Sequence, residues 1–224
     1  MIILGCDTST KTANLFLGEY EEDQLSWYET TSVVWNNTHS EQLLDRLLLM
    51  CSDHSIELSE LDLLCASSGP GSFTGLRIAL ATMKGLALGL NKPLVSVPTL
   101  DLFQGIARFI GGACLAVIDA KKQRFYTALF VDGIKIGESS DLGPDEIASL
   151  IAPHPSITLL GSDGTLLAKR LADPKVAVFE AHRQNLGVEL ADRARKHYLE
   201  TGADPLDQGP TYIRKSDAEL ALKE

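Results

Sequence analysis

Apolar positions along this chain fall in short runs that alternate with longer segments, the pattern of a mixed α/β protein. Residues 2–6 read as a buried strand, followed by the polar turn Asp7-Thr8-Ser9-Thr10-Lys11 and by strands at 13–17 and 25–34. Thr38-His39-Ser40-Glu41 has the form of a capping box, in which the Thr38 hydroxyl reaches the Glu41 amide and the Glu41 carboxylate reaches back. It predicts a helix over 39–54, whose apolar stripe of Leu43, Leu44, Leu47, Leu48, Leu49, Met50 and Cys51 is wider than one core face needs. Further strands are predicted at 61–66 and 93–97, and Thr99 is placed to cap a helix reaching Ile110. Gly111-Gly112 then breaks the chain. Beyond it come strands at 114–118, 125–131, 157–160 and 176–179 and helices at 144–151, 165–171 and 184–199.

Between the strand at 61–66 and a long apolar segment lies Gly69-Pro70-Gly71-Ser72-Phe73-Thr74-Gly75-Leu76-Arg77, a strand–loop–helix junction. Its three glycines imply backbone angles that side chains forbid, or close approach of another group. A helix N-terminus with free amides suits an anion, but glycine turns of this kind also occur where nothing binds. The spacing is neither a Walker loop nor a dinucleotide fingerprint, whose sixth position is here Thr74. Ser72 reads as the helix cap. The helix that follows, over 73–90, is apolar nearly all round and rich in small residues. Such a helix is either central to the core or covered on one side by another chain. Arg77 and Lys84, seven apart, share one of its faces.

A net charge of −10 over 224 residues argues against a direct reader of nucleic acid, which wants a basic stripe. Cys6, Cys51, Cys65 and Cys114 lie far apart among apolar neighbours, which predicts buried free thiols in a reducing compartment. The chain opens on a strand with no charged leader, and its longest apolar stretch, interrupted by Arg77, Thr82 and Lys84, reads as too short for a bilayer. The expectation is a cytoplasmic protein that does not enter a membrane.

The second half repeats the first: strand, aspartate (Asp119 matching Asp7), polar turn, strand, turn, strand. The division expected is 1–110 and 111–224. Together with Lys84-Gly85-Leu86-Ala87, Ile118-Asp119-Ala120 and Pro210-Thr211-Tyr212-Ile213-Arg214, the motifs quoted above resemble the TsaB (YeaZ) family. The resemblance implies the α/β fold of the actin-like ATPase (ASKHA, ribonuclease-H-like) class, duplicated into two related domains. It also implies a part in making threonylcarbamoyladenosine in tRNAs that read codons beginning with A. The implied part is that of a noncatalytic partner of TsaD, with TsaE, a P-loop ATPase, joining the assembly. A homodimer is a further expectation, tRNA is met only through the complex, and no cofactor, metal or catalytic residue is assigned. The helices from 39 and from 73 would form the partner surface, through Leu43, Leu47, Met50, Arg77, Ala79, Leu80, Met83 and Lys84. Asp7, Thr8, Gly69, Gly71 and Asp119 would mark a degenerate nucleotide site, to which Gly161-Ser162-Asp163-Gly164 could add contacts.

The catalytic TsaD family shares this junction but binds a metal through H-x-x-x-H after the helix; here Thr99 and Phe103 stand at that spacing, and no such histidine pair occurs in the chain. H-E-x-x-H and G-x-S-x-G are also absent, against metalloprotease and serine-hydrolase readings. The alternative from another class is an autonomous actin-like small-molecule kinase or ATPase. It would use Asp7 and Asp119 on magnesium, although Asp119-Ala120-Lys121-Lys122-Gln123 lacks the glycines of a phosphate cradle.

Overall fold

A computed structural model describes residues 1–34, 42–179, 185–211 and 213. Two five-stranded mixed sheets carry the fold. The first has strand order β3-β2-β1-β4-β5, from β1 (Ile2–Asp7), β2 (Thr12–Glu21), β3 (Gln24–Val34), β4 (Leu63–Gly69) and β5 (Leu94–Pro98). β1 pairs antiparallel with β2 and parallel with β4, and β5 extends the parallel side. The second sheet repeats this plan with β6 (Ala113–Asp119), β7 (Phe125–Val131), β8 (Ile134–Leu142), β9 (Ile157–Leu160) and β10 (Val176–Val178) in the order β10-β9-β6-β7-β8. β6 stands where β1 does, antiparallel to β7 and parallel to β9. This is the duplicated α/β architecture expected of the actin-like class.

Alternation along β1 sorts its side chains to two faces. Leu4 and Cys6 join a cluster closed by α1 (Leu43–Asp53) and α2 (Phe73–Leu90), while Ile3 faces α6 (Gly187–Thr201) on the other side. The Ile3 cluster continues through Leu100, Leu102 and Phe103 to Cys114, Ala116 and Phe130 of the second sheet, so the two sheets share a middle core. A third cluster lies under α4 (Pro144–Ile151) and α5 (Gly164–Leu171), beyond the second sheet. α6 follows the second sheet in sequence but packs on the first, against β1, β4 and β5.

Several expectations are corrected. α1 begins at Leu43, and the capping box at 38–41 lies outside the described residues. The helix expected from Thr99 is a 3-10 turn over Thr99–Phe103 followed by α3 (Gln104–Ile110). Thr99 caps nothing there: its hydroxyl is buried without a hydrogen-bond partner among the described residues. α2 is long and apolar enough, by length and composition, to cross a membrane, contrary to the sequence reading. In this fold it is docked on the first sheet through Gly75, Leu76, Ala79, Leu80, Met83 and Ala87. Asn91, in the left-handed region, ends it by returning its amide to Ala87 and Leu88. The four cysteines are free and buried, as expected.

Candidate functional site

The glycine-rich junction forms because α2 must start against the turn that follows β1. Ser72 caps the helix, its hydroxyl accepting the Gly75 amide at 3.2 Å, and its own amide donates to the Ser9 carbonyl at 2.6 Å. A Cβ on Gly75 would stand 2.0 Å from the Thr8 carbonyl oxygen, and the Thr8 hydroxyl donates to the Gly75 carbonyl at 2.7 Å. Gly69 has φ +109°, and a Cβ there would meet the Thr211 carbonyl at 2.6 Å. The close approach that these glycines signalled is therefore made by the chain's own backbone.

Asp7 is fully buried. One of its carboxylate oxygens accepts the Ser67 hydroxyl at 2.6 Å and the Ser9 amide at 3.0 Å, and the other accepts the Asn14 side-chain amide at 3.2 Å. It is a structural hub at the end of β1, with its acceptor capacity directed inward.

A cavity of about 430 Å3 opens between the two halves. Ser9, Thr10, Lys11, Gly71, Ser72 and Phe73 wall it on one side, and Ile118 to Lys121, Tyr126, Ser162 and Asp163 on the other. Of the expected nucleotide residues it gathers Gly71 and Asp119, together with the suggested Ser162 and Asp163. Asp7, Thr8 and Gly69 lie apart from it: the first two are buried beneath the junction and Gly69 is covered by Thr211, so none lines the cavity. Lys11, Lys121 and Tyr126 were missed. Lys121, Lys122 and Gln123 all take positive φ (62°, 51° and 62°), a left-handed turn that no glycine announced.

Asp119 accepts the Lys121 amide at 2.8 Å and its ammonium at 2.9 Å, while its own amide donates to Asp163 at 2.9 Å. Burial raises the Asp119 carboxyl, but the Lys121 hydrogen bonds and charge outweigh it and hold it below the ordinary carboxylate range. The same pairing raises the Lys121 ammonium. Asp119 and Lys121 thus neutralise one another, while Asp163 accepts the Asp119 amide and the Ser162 hydroxyl. A magnesium nucleotide in the manner of the actin-like class needs carboxylates open to the cleft. Asp7 is buried and turned to its own three donors, and Asp119 is tied to Lys121, so these two residues do not fit that role.

Most of the expected partner residues face inward in this fold. Leu43, Leu47, Met50, Ala79, Leu80 and Met83 are buried against the first sheet, because their helical stripes are what docks α1 and α2 on it. The outer face of α2 carries instead Thr74, Arg77, Ala81, Gly85, Leu88 and Gly89, all exposed, with Arg77 lying 3.7 Å over the Phe73 ring and Lys84 half-buried at the flank. Leu88 is 67% exposed, and a Cβ on Gly85 or Gly89 would meet nothing within 4 Å. α1 turns Leu44 and Leu49 outward.

The family model that matches, over residues 33–172 and so over more than half of the chain, is described as TsaD: tRNA N6-adenosine threonylcarbamoyltransferase. The chain is 28% identical to an uncharacterized protein of Mycobacterium leprae, over 72% of its own length but 43% of that protein's. It is 26% identical to the tRNA threonylcarbamoyladenosine biosynthesis protein TsaB of Bacillus subtilis, over 98% of its own length and 96% of that protein's. Among solved structures, YeaZ from Pseudomonas aeruginosa superposes with a TM-score of 0.77 at 24% identity, covering 94% of this chain and 99% of that one; the likeness is one of fold.

Proposed function

We propose that this chain, which belongs to the TsaD-type family and to its TsaB (YeaZ) kind, serves in making threonylcarbamoyladenosine in tRNA as a noncatalytic partner of a TsaD-type transferase. The observation that carries this reading is the outer face of α2. Ala81, Gly85 and Gly89 leave it flat and open beside an exposed Leu88, a surface that another helix can approach closely. Arg77 and Lys84, from the expected interface set, border it. The same face would serve a homodimer of the free protein. In this reading 1–110 is the docking half and 111–224 the second half, with α6 returning to the first sheet. A TsaE-type ATPase joins the pair, and tRNA is reached only through the assembly.

The noncatalytic part of the reading is supported by the residues at the spacing of the metal-binding histidines. Thr99 and Phe103 are both buried in the middle core. The chain's contribution would be binding energy and the ordering of its partner.

Reconstitution of tRNA threonylcarbamoylation with a TsaD-type transferase, a TsaE-type ATPase and a source of threonylcarbamoyl adenylate, with and without this chain, tests the proposal. Modification that depends on the chain, with a defined complex by light scattering, is the expected result. No complex and no stimulation would overturn it. Magnesium-dependent nucleotide turnover by the chain alone would point to the kinase or ATPase alternative.

A further inference from the structure

We propose that residues 203–211 form a releasable strap that couples the outer face of α2 to the turn before that helix. After α6 the chain runs along β5, the edge strand of the first sheet. The Asp204 amide donates to the Leu94 carbonyl at 2.9 Å. One Asp204 carboxylate oxygen accepts the Ser96 amide at 2.7 Å and the Ser96 hydroxyl at 2.6 Å, and the other lies 3.1 Å from His197 Nε2. The chain then turns, crosses to α2, where the Lys84 ammonium donates to the Gln208 carbonyl, and ends with the Thr211 amide donating to the Ser68 carbonyl at 2.7 Å. There the Thr211 carbonyl covers Gly69.

Polar bonds hold this segment as far as Thr211, beyond which Ile213 packs against the middle core. Residues 205–209 are all exposed, including Leu206 at 40%, so no buried apolar side chain anchors its middle. A segment of that kind opens at a small fraction of the cost of global unfolding. Its clasp on α2 is one ammonium on a neutral carbonyl, beside Gly85 on the flank of the face assigned above to the partner. A carboxylate brought to Lys84 by a docking chain makes an ion pair stronger than the bond to the neutral Gln208 carbonyl, and competes with that carbonyl for the ammonium. Release loosens Thr211 and uncovers Gly69, two residues before Gly71, which walls the cavity. Occupation of the α2 face is thereby transmitted to the cavity wall. The coupling rests on the partner reading; the strap and its clasp do not.

Hydrogen exchange by mass spectrometry tests both on the full chain. Lys84→Met and, as a second variant, Asp204→Asn should each speed exchange of the peptide carrying residues 204–211 by about tenfold, the loss of one hydrogen bond to a charged group, with β1 and β4 unchanged. Strap exchange unchanged in both variants, or exchange rising equally throughout the first sheet, would overturn the strap. Mixing the wild-type chain with a TsaD-type transferase, with association followed separately by light scattering, should give the same acceleration. A complex whose strap stays protected would overturn the coupling and leave the partner reading standing. No complex at all would overturn the partner reading and the coupling with it, while the two variants still decide the strap.

Discussion

Gly85→Ala adds one methyl to the outer face of α2, at a position where a Cβ meets nothing within 4 Å. In the isolated chain the change removes a glycine from the interior of an 18-residue helix without a clash. That is worth about 0.8–1 kcal/mol of helix propensity in favour of the fold. For a chain of this size it corresponds to a melting temperature higher by about 2–4 °C. At a close-packed interface the same methyl is an intrusion, which costs about 1–3 kcal/mol, or about 5- to 150-fold in affinity. The two effects have opposite sign, so scanning calorimetry on the monomer and titration calorimetry against a TsaD-type partner separate them. A stabilised monomer with weakened pairing is the expected result. A stabilised monomer that pairs as before would refute the assignment of this face to a partner. A destabilised monomer would refute the open geometry above Gly85.

Leu47→Ala, in the fully buried stripe of α1, should cost about 2–5 kcal/mol of stability by urea denaturation, and a charge there should unfold the domain rather than merely weaken pairing. Asp7→Asn turns one acceptor oxygen into a donor facing the Ser9, Ser67 and Asn14 donors, so it should destabilise by about 1–3 kcal/mol, with no nucleotide-dependent difference in thermal shift. Burial, with a smaller contribution from Asp132, pushes the Cys114 thiol up to about 11 from an ordinary value of 9.0. The unfolded chain therefore ionises first, and the thiol's contribution to stability, complete below pH 9.0, is lost as pH rises toward about 11. The urea midpoint should fall between about pH 9 and pH 11, and by less in Cys114→Ala; an equal fall in both proteins would refute the assignment.

The strands were legible because central strands buried on both faces, such as β1 and β4, read as continuous apolar runs, while the edge strand β3 alternates. The duplication was legible because Asp7 and Asp119 follow β1 and β6 at the same point of the same pattern. Which side of α2 faces the sheet was not. Periodicity tells that Leu76, Leu80 and Met83 share one face and Ala81, Gly85 and Leu88 the other, but an all-round apolar helix does not say which face is covered. The contrast between large and small residues on the two faces was the signal available. The junction glycines gave close approach correctly while leaving the approaching group open, and it proved to be the backbone of Thr8, Ser9 and Thr211. The left-handed turn at 121–123 carried no signal, because three non-glycine residues hold conformations that sequence statistics assign to glycine.

The duplication supplies its own control on the kinase alternative. Two halves built on one strand order place an aspartate at the same spot, at the ends of β1 and β6, and the two have diverged in what they do. Asp7 has become a buried acceptor for three donors that knit β1, β2 and β4 together. Asp119 stays at the cavity and is neutralised by the lysine two residues on. Phosphoryl transfer would require both to keep oxygens open for a cation between them. In the cleft Asp119 and Lys121 are spent on one another, whereas the outer face of α2 keeps Leu88 exposed and space above Gly85 and Gly89 that the monomer does not fill. Unfilled capacity for apolar contact lies on that surface, which is what the proposed reading of a chain that works by being bound expects.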